Sequence, residues 1–374
     1  MPSTADLPLA AWAEHAARVG DAVLGRLRSP LAELVERTSR VYTREREDFA
    51  PASAKDALHA RLRFYLVRDL PKLAGPVHEL VLGDALPGGS TWRVLDLGAG
   101  VGTTTFSFLA GAMAAGAAPE RVVVDAVDQT PLALRAFAAL AEGAPGLPPL
   151  EVAAHSGDAL RFVEGATGGW DVVLMGLFVN ELPYADRQRL LDLLAQRLRP
   201  GGTVLILEPA LRETSRALHR LRDELAAGWG VYAPCLRTGP CPMLETERDW
   251  CHEEELLTLP PALESVARGA GLRGDRLRYS YLTLRRDDRT LRGALDADDG
   301  WRIVSQALKS KGKLEVYGCA DPGRIRFTRL DRHAADPNAA FGEARRGQVL
   351  RIEGAEPKGK GRRLGADAQV ERIR

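Results

Sequence analysis

The sequence predicts an α/β protein with a Rossmann-like sheet, an N-terminal helical region, an inserted cysteine loop and a small C-terminal β-domain. Three observations support this class. Apolar strand-like runs alternate with Ala/Leu-rich helical stretches between Trp92 and Leu207, which is typical of βαβ units around a buried parallel sheet. The first run leads into a glycine-rich loop, VLDLGAGVGTTT. After Asp299 no long helical period remains, and short strand-like runs with Gly turns follow.

The first 85 residues have a helical pattern. Leu7–Arg28 is rich in Ala and Leu, and the stretch KDALHARLRFYLVRDLPKL at 55–73 spaces its apolar residues at three and four. We therefore expect an N-terminal helical region over residues 1–85. This region either packs against the next domain or binds a partner.

The central part of the chain, residues 86–298, is predicted to form the sheet domain. The apolar runs predict strands at Arg93–Leu97, Arg121–Val127, Leu150–Ala154, Asp171–Leu177 and Thr203–Leu207. Helices are expected at Pro131–Ala141 and Ala185–Arg199, and Arg199-Pro200-Gly201-Gly202 predicts a turn before the fifth strand. Alternation over Arg276–Arg285 adds a further strand, so a sheet of six or seven strands is expected.

The C-terminal part, residues 299–374, is predicted to be a small basic β-domain and tail. From Trp301 to Arg374 there are 17 Lys and Arg against 9 Asp and Glu, whereas the first 300 residues carry 34 against 41. This asymmetry indicates a polyanionic partner at one end of the molecule. A Lys/Arg-rich β-surface that is only solvated explains the charge equally well.

Composition excludes several classes of protein. The chain has 374 residues and 40.5 kDa, with 45% hydrophobic and 27% charged residues, which excludes a disordered, collagen-like or disulfide-stapled protein. No apolar run reaches the roughly 18–20 residues of a membrane helix. The N-terminal segment lacks the basic start of a secretory signal or transit peptide, and Asp and Glu occur early in it. We expect a cytoplasmic protein without a membrane anchor, and a monomer by default.

The glycine loop carries the most specific motif of the first half. Asp96 closes the first strand, and Gly98, Gly100 and Gly102 follow at alternate positions. Glycines let the chain turn tightly and bring its backbone against a ligand. The dinucleotide fingerprint needs its third glycine at position 103, which is Thr103. The spacing therefore argues against NAD.

The D-x-G-x-G-x-G pattern resembles that of the class I S-adenosylmethionine-dependent methyltransferases. The resemblance implies that S-adenosylmethionine binds at the loop, with Asp96 near the amino-acid end of the cofactor, Asp128 on the ribose hydroxyls and Asp158 near the adenine. The alternative is a binding fold whose pocket has decayed. No catalytic residue is assigned: Asn180 and Glu181 follow the fourth strand and either meet a substrate or stabilise the turn.

All four cysteines follow the fifth strand. Cys235, Cys241 and Cys251 lie within 17 residues at gaps of five and nine, and Cys319 comes later. Disulfides are not expected in a cytosolic chain, and free buried cysteines are usually scattered. Four thiolates can hold a zinc ion or a [4Fe–4S] cluster. Paired short C-x₂₋₄-C spacings typical of zinc are absent, so the spacing favours iron–sulfur, with zinc as the alternative and His252 as a possible substitute ligand. This places a metal-binding loop at 230–252.

Several segments resemble the methyltransferase-like assembly factors of the mitochondrial small ribosomal subunit and their bacterial relatives. The resemblance is carried by TSRVY at 38–42, FVNELP at 178–183, APCLRTGPCP at 233–242, DWCH at 249–252 and SYLTLRR at 280–286. It implies a [4Fe–4S] cluster on Cys235, Cys241, Cys251 and Cys319, and a partner in the rRNA and proteins of the small ribosomal subunit. Since no mitochondrial leader is seen, a bacterial cytoplasm is implied.

Three functions follow from these features. The first is a ribosome-associated factor that binds S-adenosylmethionine and a cluster and contacts rRNA through basic surfaces. The second is an active rRNA methyltransferase that uses the same site. The third is a small-molecule methyltransferase in which zinc staples the cysteine loop.

Overall fold

The N-terminal part of the chain is helical, as expected. The computed structural model describes residues 7–43, 54–225 and 228–374, so residues 1–6 and 44–53 of the predicted helical region lie outside the described residues. The helices are α1 (Leu9–Leu24), α2 (Leu31–Thr43), α3 (Ala54–Ala60), α4 (Leu66–Asp69) and α5 (Ala74–Leu82). A π-helical turn at Arg61–Tyr65 joins α3 to α4, and a 3₁₀ turn at Leu70–Leu73 joins α4 to α5.

The first sheet contains eight strands among the described residues. They are β1 (Thr91–Leu97), β2 (Arg121–Asp128), β3 (Leu150–Ser156), β4 (Trp170–Gly176), β5 (Leu198–Pro209), β6 (Gly230–Ala233), β7 (Glu253–Leu256) and β8 (Arg276–Arg285). Their order is β3-β2-β1-β4-β5-β8-β6, and β7 also pairs with β8. β1 to β5 are parallel, whereas β8 runs antiparallel to β5, β6 and β7.

This order confirms the Rossmann-like α/β sheet. It follows the Rossmann order through five strands and departs from it where antiparallel β8 lies between β5 and β6. The expected six or seven strands become eight because β6 and β7 are four-residue strands on β8, too short for a periodic signal in the sequence.

Helices cover both faces of the first sheet. They are α6 (Thr103–Ala114), α7 (Pro131–Ala141), α8 (Ala159–Gly165), α9 (Tyr184–Arg197), α10 (Arg212–Asp223) and α11 (Pro261–Gly269). One core cluster joins the N-terminal helices to α6 and α7, with the rings of Trp12 and Phe106 5.0 Å apart. A second cluster joins α8, α9 and α10 to the other face. In the described parts of the chain, we find no helix with the length and apolarity needed to cross a membrane.

The residues Arg199-Pro200-Gly201-Gly202, expected as a turn before the fifth strand, interrupt the pairing of β5 with β4. They lie within the bounds of β5, but Leu198 pairs with Trp170 and pairing resumes with Thr203 opposite Val172. Four residues of β5 therefore stand opposite one residue of β4, and Gly201 adopts a φ of +75°. The strand begins earlier than expected, at Leu198, and the four residues form a bulge inside it.

The C-terminal region forms a second sheet, which confirms the small β-domain. Its strands are β9 (Gly300–Ile303), β10 (Leu308–Ser310), β11 (Lys313–Ala320), β12 (Gly323–Leu330), β13 (Val349–Glu353), β14 (Glu356–Lys358), β15 (Gly361–Leu364) and β16 (Gln369–Arg372), with short helices α12 (Leu291–Ala294) and α13 (Ala339–Gly342). The order is β14-β15-β12-β11-β9-β13-β16, with β10 beside β11. A separate core forms around Trp301, Phe327 and Phe341. The domain limits at 85/86 and 298/299 stay predictions.

A buried network of charges joins the two sheets. Arg302 on β9 contacts Glu79 on α5 at 2.5 Å and Glu253 on β7 at 2.7 Å. Arg374 contacts the same Glu79 at 2.8 Å. Glu79 is fully buried. Burial is the largest single influence on its pKa and raises it, but Arg302, Arg374 and the hydroxyl of Tyr281 together outweigh burial, so the pKa lies below the ordinary value. Removal of one partner leaves a buried charge unpaired, so this network fixes how the β-domain docks.

Candidate functional site

A cavity of about 710 Å³, the large cavity, opens at the carboxyl ends of β1, β2 and β4. Its volume lies within the roughly 300–1,000 Å³ typical of small-molecule sites. Four of the six residues predicted to bind a cofactor line it: Gly98, Gly100, Asp128 and Asp158. The other two, Asp96 and Gly102, are not among the lining residues.

Gly98 and Gly100 bring bare backbone to the wall of the large cavity. Gly100 has a φ of +52°, and a Cβ built there meets no atom within 4 Å, so a side chain would project into open space. A Cβ at Gly98 would lie 2.7 Å from the ring of Phe178, a second lining residue. Both positions therefore need glycine for close approach and for left-handed backbone.

Asp96 and Gly102 support the loop from inside. Asp96 is fully buried and accepts a hydrogen bond from the Thr105 hydroxyl at 2.7 Å, while its Oδ1 has no hydrogen-bond partner. Burial raises the pKa of Asp96 to about 7. Gly102 precedes α6, and a Cβ there would lie 2.3 Å from the ring of Phe137. The geometry gives these two residues a packing role, and their contact with a cofactor stays a prediction.

Asp128 and Asp158 face the large cavity with oriented carboxylates. Asp128 accepts the backbone N–H of Gly100 at 2.9 Å and that of Thr130 at 2.8 Å. Asp158 accepts the N–H of Arg161 at 2.9 Å as the N-cap of α8. Each carboxylate oxygen has two lone pairs, so both groups keep acceptor capacity for hydroxyl or amino groups of a ligand.

The loop after β4 is held by a buried pair. Asn180 donates its side-chain amide to Glu208 at 2.6 Å and its backbone N–H at 2.9 Å. Burial raises the pKa of Glu208 to about 7. Leu177 lines the large cavity with a φ of +58°, which is rare for a bulky residue, and Glu181 lines it as well. The contacts of Asn180 favour the turn-stabilising interpretation.

The N-terminal helical region supplies a wall that sequence reasoning missed. Its lining residues are Ser39, Arg61, Tyr65, Arg68, Asp69 and Lys72. The π-helical turn Arg61–Tyr65 begins this wall, and such turns are frequent at functional sites. Within this largely apolar segment, the lining residues at 61, 65, 68 and 72 recur at steps of three and four residues. This helical spacing of polar residues is the signal from which the wall could have been predicted.

A second cavity of about 50 Å³, the cysteine cavity, is lined by all four cysteines. Cys235, Cys241 and Cys251 come from the loop after β6, and Cys319 comes from β11 of the second sheet. His252 also lines this cavity, and its Nδ1 is buried without a hydrogen-bond partner. Residues far apart in sequence therefore line one cavity, and the metal centre expected on the four cysteines stays a prediction.

Helix α10 holds the cysteine loop from one side. Four of its side chains contact the loop at three- to four-residue spacing: Arg216, His219, Arg222 and Asp223. His219 accepts the backbone N–H of Cys251 at 2.9 Å, and Asp223 accepts that of Cys241 at 2.8 Å.

Two arginines of α10 bind loop carbonyls. Arg216 donates to the carbonyl oxygens of residues 243, 246 and 249 at 2.6–2.8 Å. Arg222 donates to those of residues 237 and 239 at 2.7 and 2.6 Å. Sequence reasoning missed these residues because nothing in the sequence places α10 beside the loop.

The second sheet closes the cysteine cavity. Cys319 on β11 lies opposite Arg302 on β9 and Arg324 on β12. Arg324 reaches the loop through Asp249 at 2.5 Å. The loop and the second sheet are therefore held together through polar contacts around the cysteines.

Burial shifts the pKa values of the side chains that line the cysteine cavity. It raises the pKa of the Cys241 thiol to about 11 and that of the Cys319 thiol to about 12, and neighbouring cysteines raise both values further. Burial also lowers the pKa of His252 to about 4. Arg222 and Arg302 line the cavity and supply positive charge. Across the described ranges, no three His, Cys, Asp or Glu side chains stand close enough to ligate one metal ion.

The sequence of the first sheet and of most of the second sheet matches the model of a known protein family. The profile of the family described as mitochondrial small ribosomal subunit Rsm22 matches residues 85–347. The chain belongs to this Rsm22 family. No curated protein is a significant match. The match of this Rsm22-family chain spans the glycine loop and all four cysteines.

Solved methyltransferase structures resemble the Rsm22-family chain weakly. An S-adenosylmethionine-dependent methyltransferase from Leishmania major has 17% identity and a TM-score of 0.35, covering 72% of this chain and 91% of its own. Magnesium protoporphyrin IX methyltransferase from Synechocystis has 13% identity and a TM-score of 0.35, covering 70% and 100%. A methyltransferase from Thiobacillus denitrificans has 20% identity and a TM-score of 0.32, and the match covers 57% of this chain and 92% of its own. Likenesses this weak carry no argument about activity.

Proposed function

We propose that this Rsm22-family protein binds S-adenosylmethionine and a [4Fe–4S] cluster and acts on the small ribosomal subunit as an assembly or translation factor. One observation carries the proposal: four cysteines spread from position 235 to position 319 line one cavity in a chain whose family is described by the small ribosomal subunit. A cytoplasmic location and a monomeric state remain predictions from the sequence.

The large cavity supports the S-adenosylmethionine part of the proposal. The open backbone at Gly100 and the acceptors Asp128 and Asp158 suit a ligand with hydroxyl and amino groups. These are the residues that would hold the adenosine, with Gly98 beside it. When bound, S-adenosylmethionine supplies an electrophilic methyl group, which the protein needs only to orient toward an acceptor.

The cysteine spacing favours a cluster over zinc. The gaps of five and nine residues lack the short paired C-x₂₋₄-C spacing that is typical of structural zinc sites, whereas cysteines that are far apart in sequence can hold a [4Fe–4S] cluster. Cys235, Cys241, Cys251 and Cys319, which line the cysteine cavity, are the residues that would hold it. Arg222 and Arg302 would balance the negative charge of the four thiolates.

The second sheet supports contact with rRNA. The triplet Lys-Gly-Lys occurs twice, at 311–313, where the chain turns from β10 into β11, and at 358–360, where it turns from β14 into β15. Both central glycines have positive φ, and Lys311, Lys358 and Lys360 are exposed. Exposed lysines that neutralise phosphates drive affinity for nucleic acid. We assign rRNA binding to this basic sheet.

Methylation of rRNA is a second function that one observation favours, because the glycine loop is intact and the large cavity is open. A deletion strain should lose one methylated nucleotide from its small-subunit rRNA. An unchanged modification map contradicts rRNA methylation and leaves the binding role.

Sedimentation tests the ribosomal role. Tagged protein from growing cells should migrate with small-subunit particles at low salt and leave them as salt rises. Migration only as free protein at low salt contradicts the proposal.

A further inference from the structure

The amino-acid end of S-adenosylmethionine has no assigned partner in the geometry described so far. That end is a zwitterion, so it needs both a cation and an anion in a desolvated site. Asp96, predicted for this role, is fully buried beside Thr105 and does not line the large cavity. A cation and an anion that line the large cavity can meet these two charges directly.

Lys72 and Asp69 form an ion pair on that wall. The Lys72 ammonium lies 2.7 Å from Asp69 Oδ2, and the two side chains are only 9% and 11% exposed. Both residues line the large cavity. Burial lowers the pKa of Lys72, and the neighbouring Asp69 carboxylate acts against this effect.

The pair lies close to the glycine loop through α6. Leu73, next to Lys72, donates its backbone N–H to the Ser107 hydroxyl at 3.0 Å. Ser107 lines the large cavity, as do Thr103 and Thr104, which directly follow the loop. The ion pair is thus anchored over the first turns of the helix that starts where the glycines end.

Two arginines on the same wall, Arg278 and Arg68, make contacts of their own. Arg278 is paired with Glu254 at 2.5 Å and is half exposed. Arg68 donates to Asp69 Oδ1 at 2.8 Å and to the carbonyl of Arg276 at 3.3 Å. The Arg68 contact also means that Asp69 keeps a cationic partner when Lys72 turns to a ligand.

We propose that Lys72 and Asp69 are the subsite for the amino-acid end of the methyl donor, with Lys72 on its carboxylate and Asp69 on its ammonium group. The assignment rests on the proposed binding of S-adenosylmethionine. It makes the N-terminal helical region part of the cofactor site, because Lys72 and Asp69 belong to that region, line the large cavity and are only 9% and 11% exposed.

Calorimetry with two ligands tests the subsite. S-adenosylhomocysteine carries the amino-acid end, whereas 5′-methylthioadenosine lacks it. Lys72→Gln should weaken S-adenosylhomocysteine about tenfold to a hundredfold, the loss expected for a charged hydrogen bond, and should leave 5′-methylthioadenosine within about twofold. Lys55→Gln, a change of an exposed lysine on α3, should alter neither affinity.

Equal losses for both ligands, or no loss for either, overturn the subsite. A wild-type protein that binds neither ligand removes the proposed cofactor function and the subsite with it, and this result is distinct from the first two. If Lys72→Gln does not fold, two affinities of the wild-type protein are compared instead. The wild type should bind S-adenosylmethionine at least about tenfold more tightly than decarboxylated S-adenosylmethionine, which lacks the carboxylate. Equal affinity for those two ligands overturns the role of Lys72.

Discussion

Asp223 accepts the backbone N–H of Cys241 at 2.8 Å. The contact fixes the position of a predicted metal ligand from a neighbouring helix, in a loop broken by prolines and glycines. Three other residues of α10 hold the same loop. The cysteine loop is therefore ordered by protein contacts as well as by any metal it holds.

Asp223→Ala should lower the iron retained by the purified protein about tenfold, because partners that orient ligands typically contribute this much to metal affinity. Asp223→Asn should recover part of the loss, since its amide oxygen can still accept the Cys241 N–H. Iron and sulfide per chain are the measurement. Glu213→Ala, at an exposed position on the same helix, is the control. Wild-type iron content in Asp223→Ala contradicts the prediction.

Gly100→Val should abolish binding of S-adenosylhomocysteine and leave the iron content unchanged. The valine side chain would enter the large cavity and adopt an unfavourable backbone conformation. Gly116→Val is a matched control, because Gly116 also has a positive φ and open space around its Cβ position but lies outside the cavity. If calorimetry finds that Gly100→Val binds S-adenosylhomocysteine as tightly as wild type does, the glycine loop is not part of the cofactor site.

Asp96 makes stability depend on pH. Its folded-state pKa of about 7 lies above the ordinary 3.8 because of burial. The folded protein therefore binds more protons than the unfolded chain between those values, and this carboxyl makes folding less favourable as pH rises through that window. Between about pH 5.5 and pH 7.5, wild type should lose about 2 kcal/mol of unfolding free energy relative to Asp96→Asn.

Denaturant unfolding of both proteins at the two pH values measures that difference. The same pH dependence in wild type and Asp96→Asn shows that the carboxyl does not titrate in this range.

Lys311→Glu combined with Lys358→Glu should weaken binding to small-subunit particles about tenfold or more. The slope of log K against log salt should become less steep by about 2, one for each lost phosphate contact. Arg135→Glu combined with Arg268→Glu changes the same net charge at exposed positions on α7 and α11 and should have a smaller effect. Equal effects of both double variants refute the basic sheet as the contact surface.

The fold was predictable where a continuous apolar run marks a buried strand. β1, β2 and β4 carry buried apolar residues and lie within three residues of the expected limits. β3 also lies within these limits, although none of its residues is buried. α7 begins where expected because Thr130 followed by Pro131 is typical of a helix start. The start of β5 at Leu198 was not predictable, because its pairing with Trp170 lies outside the apolar run of the strand. Such pairing depends on residues distant in sequence.

The sites divide in the same way. Gly98, Gly100, Asp128 and Asp158 share an ordered local motif, and the structure brings them to one cavity. Lys72 reaches that cavity only through packing of the N-terminal helices on α6. Likewise, no local pattern joins Cys319 to the cysteine loop; the family resemblance implied it, and the docking of the second sheet places it there.

Metal analysis after anaerobic purification tests the central claim most directly, that four distant thiolates share one inorganic centre. Iron, acid-labile sulfide and zinc should be measured in wild type and in Cys319→Ser. We expect about four iron and four sulfide per wild-type chain with broad absorbance near roughly 400 nm. Cys319→Ser should lose most of both, together with soluble yield, because the centre couples to folding. A colourless wild type with stoichiometric zinc, or iron unchanged by Cys319→Ser, contradicts the account.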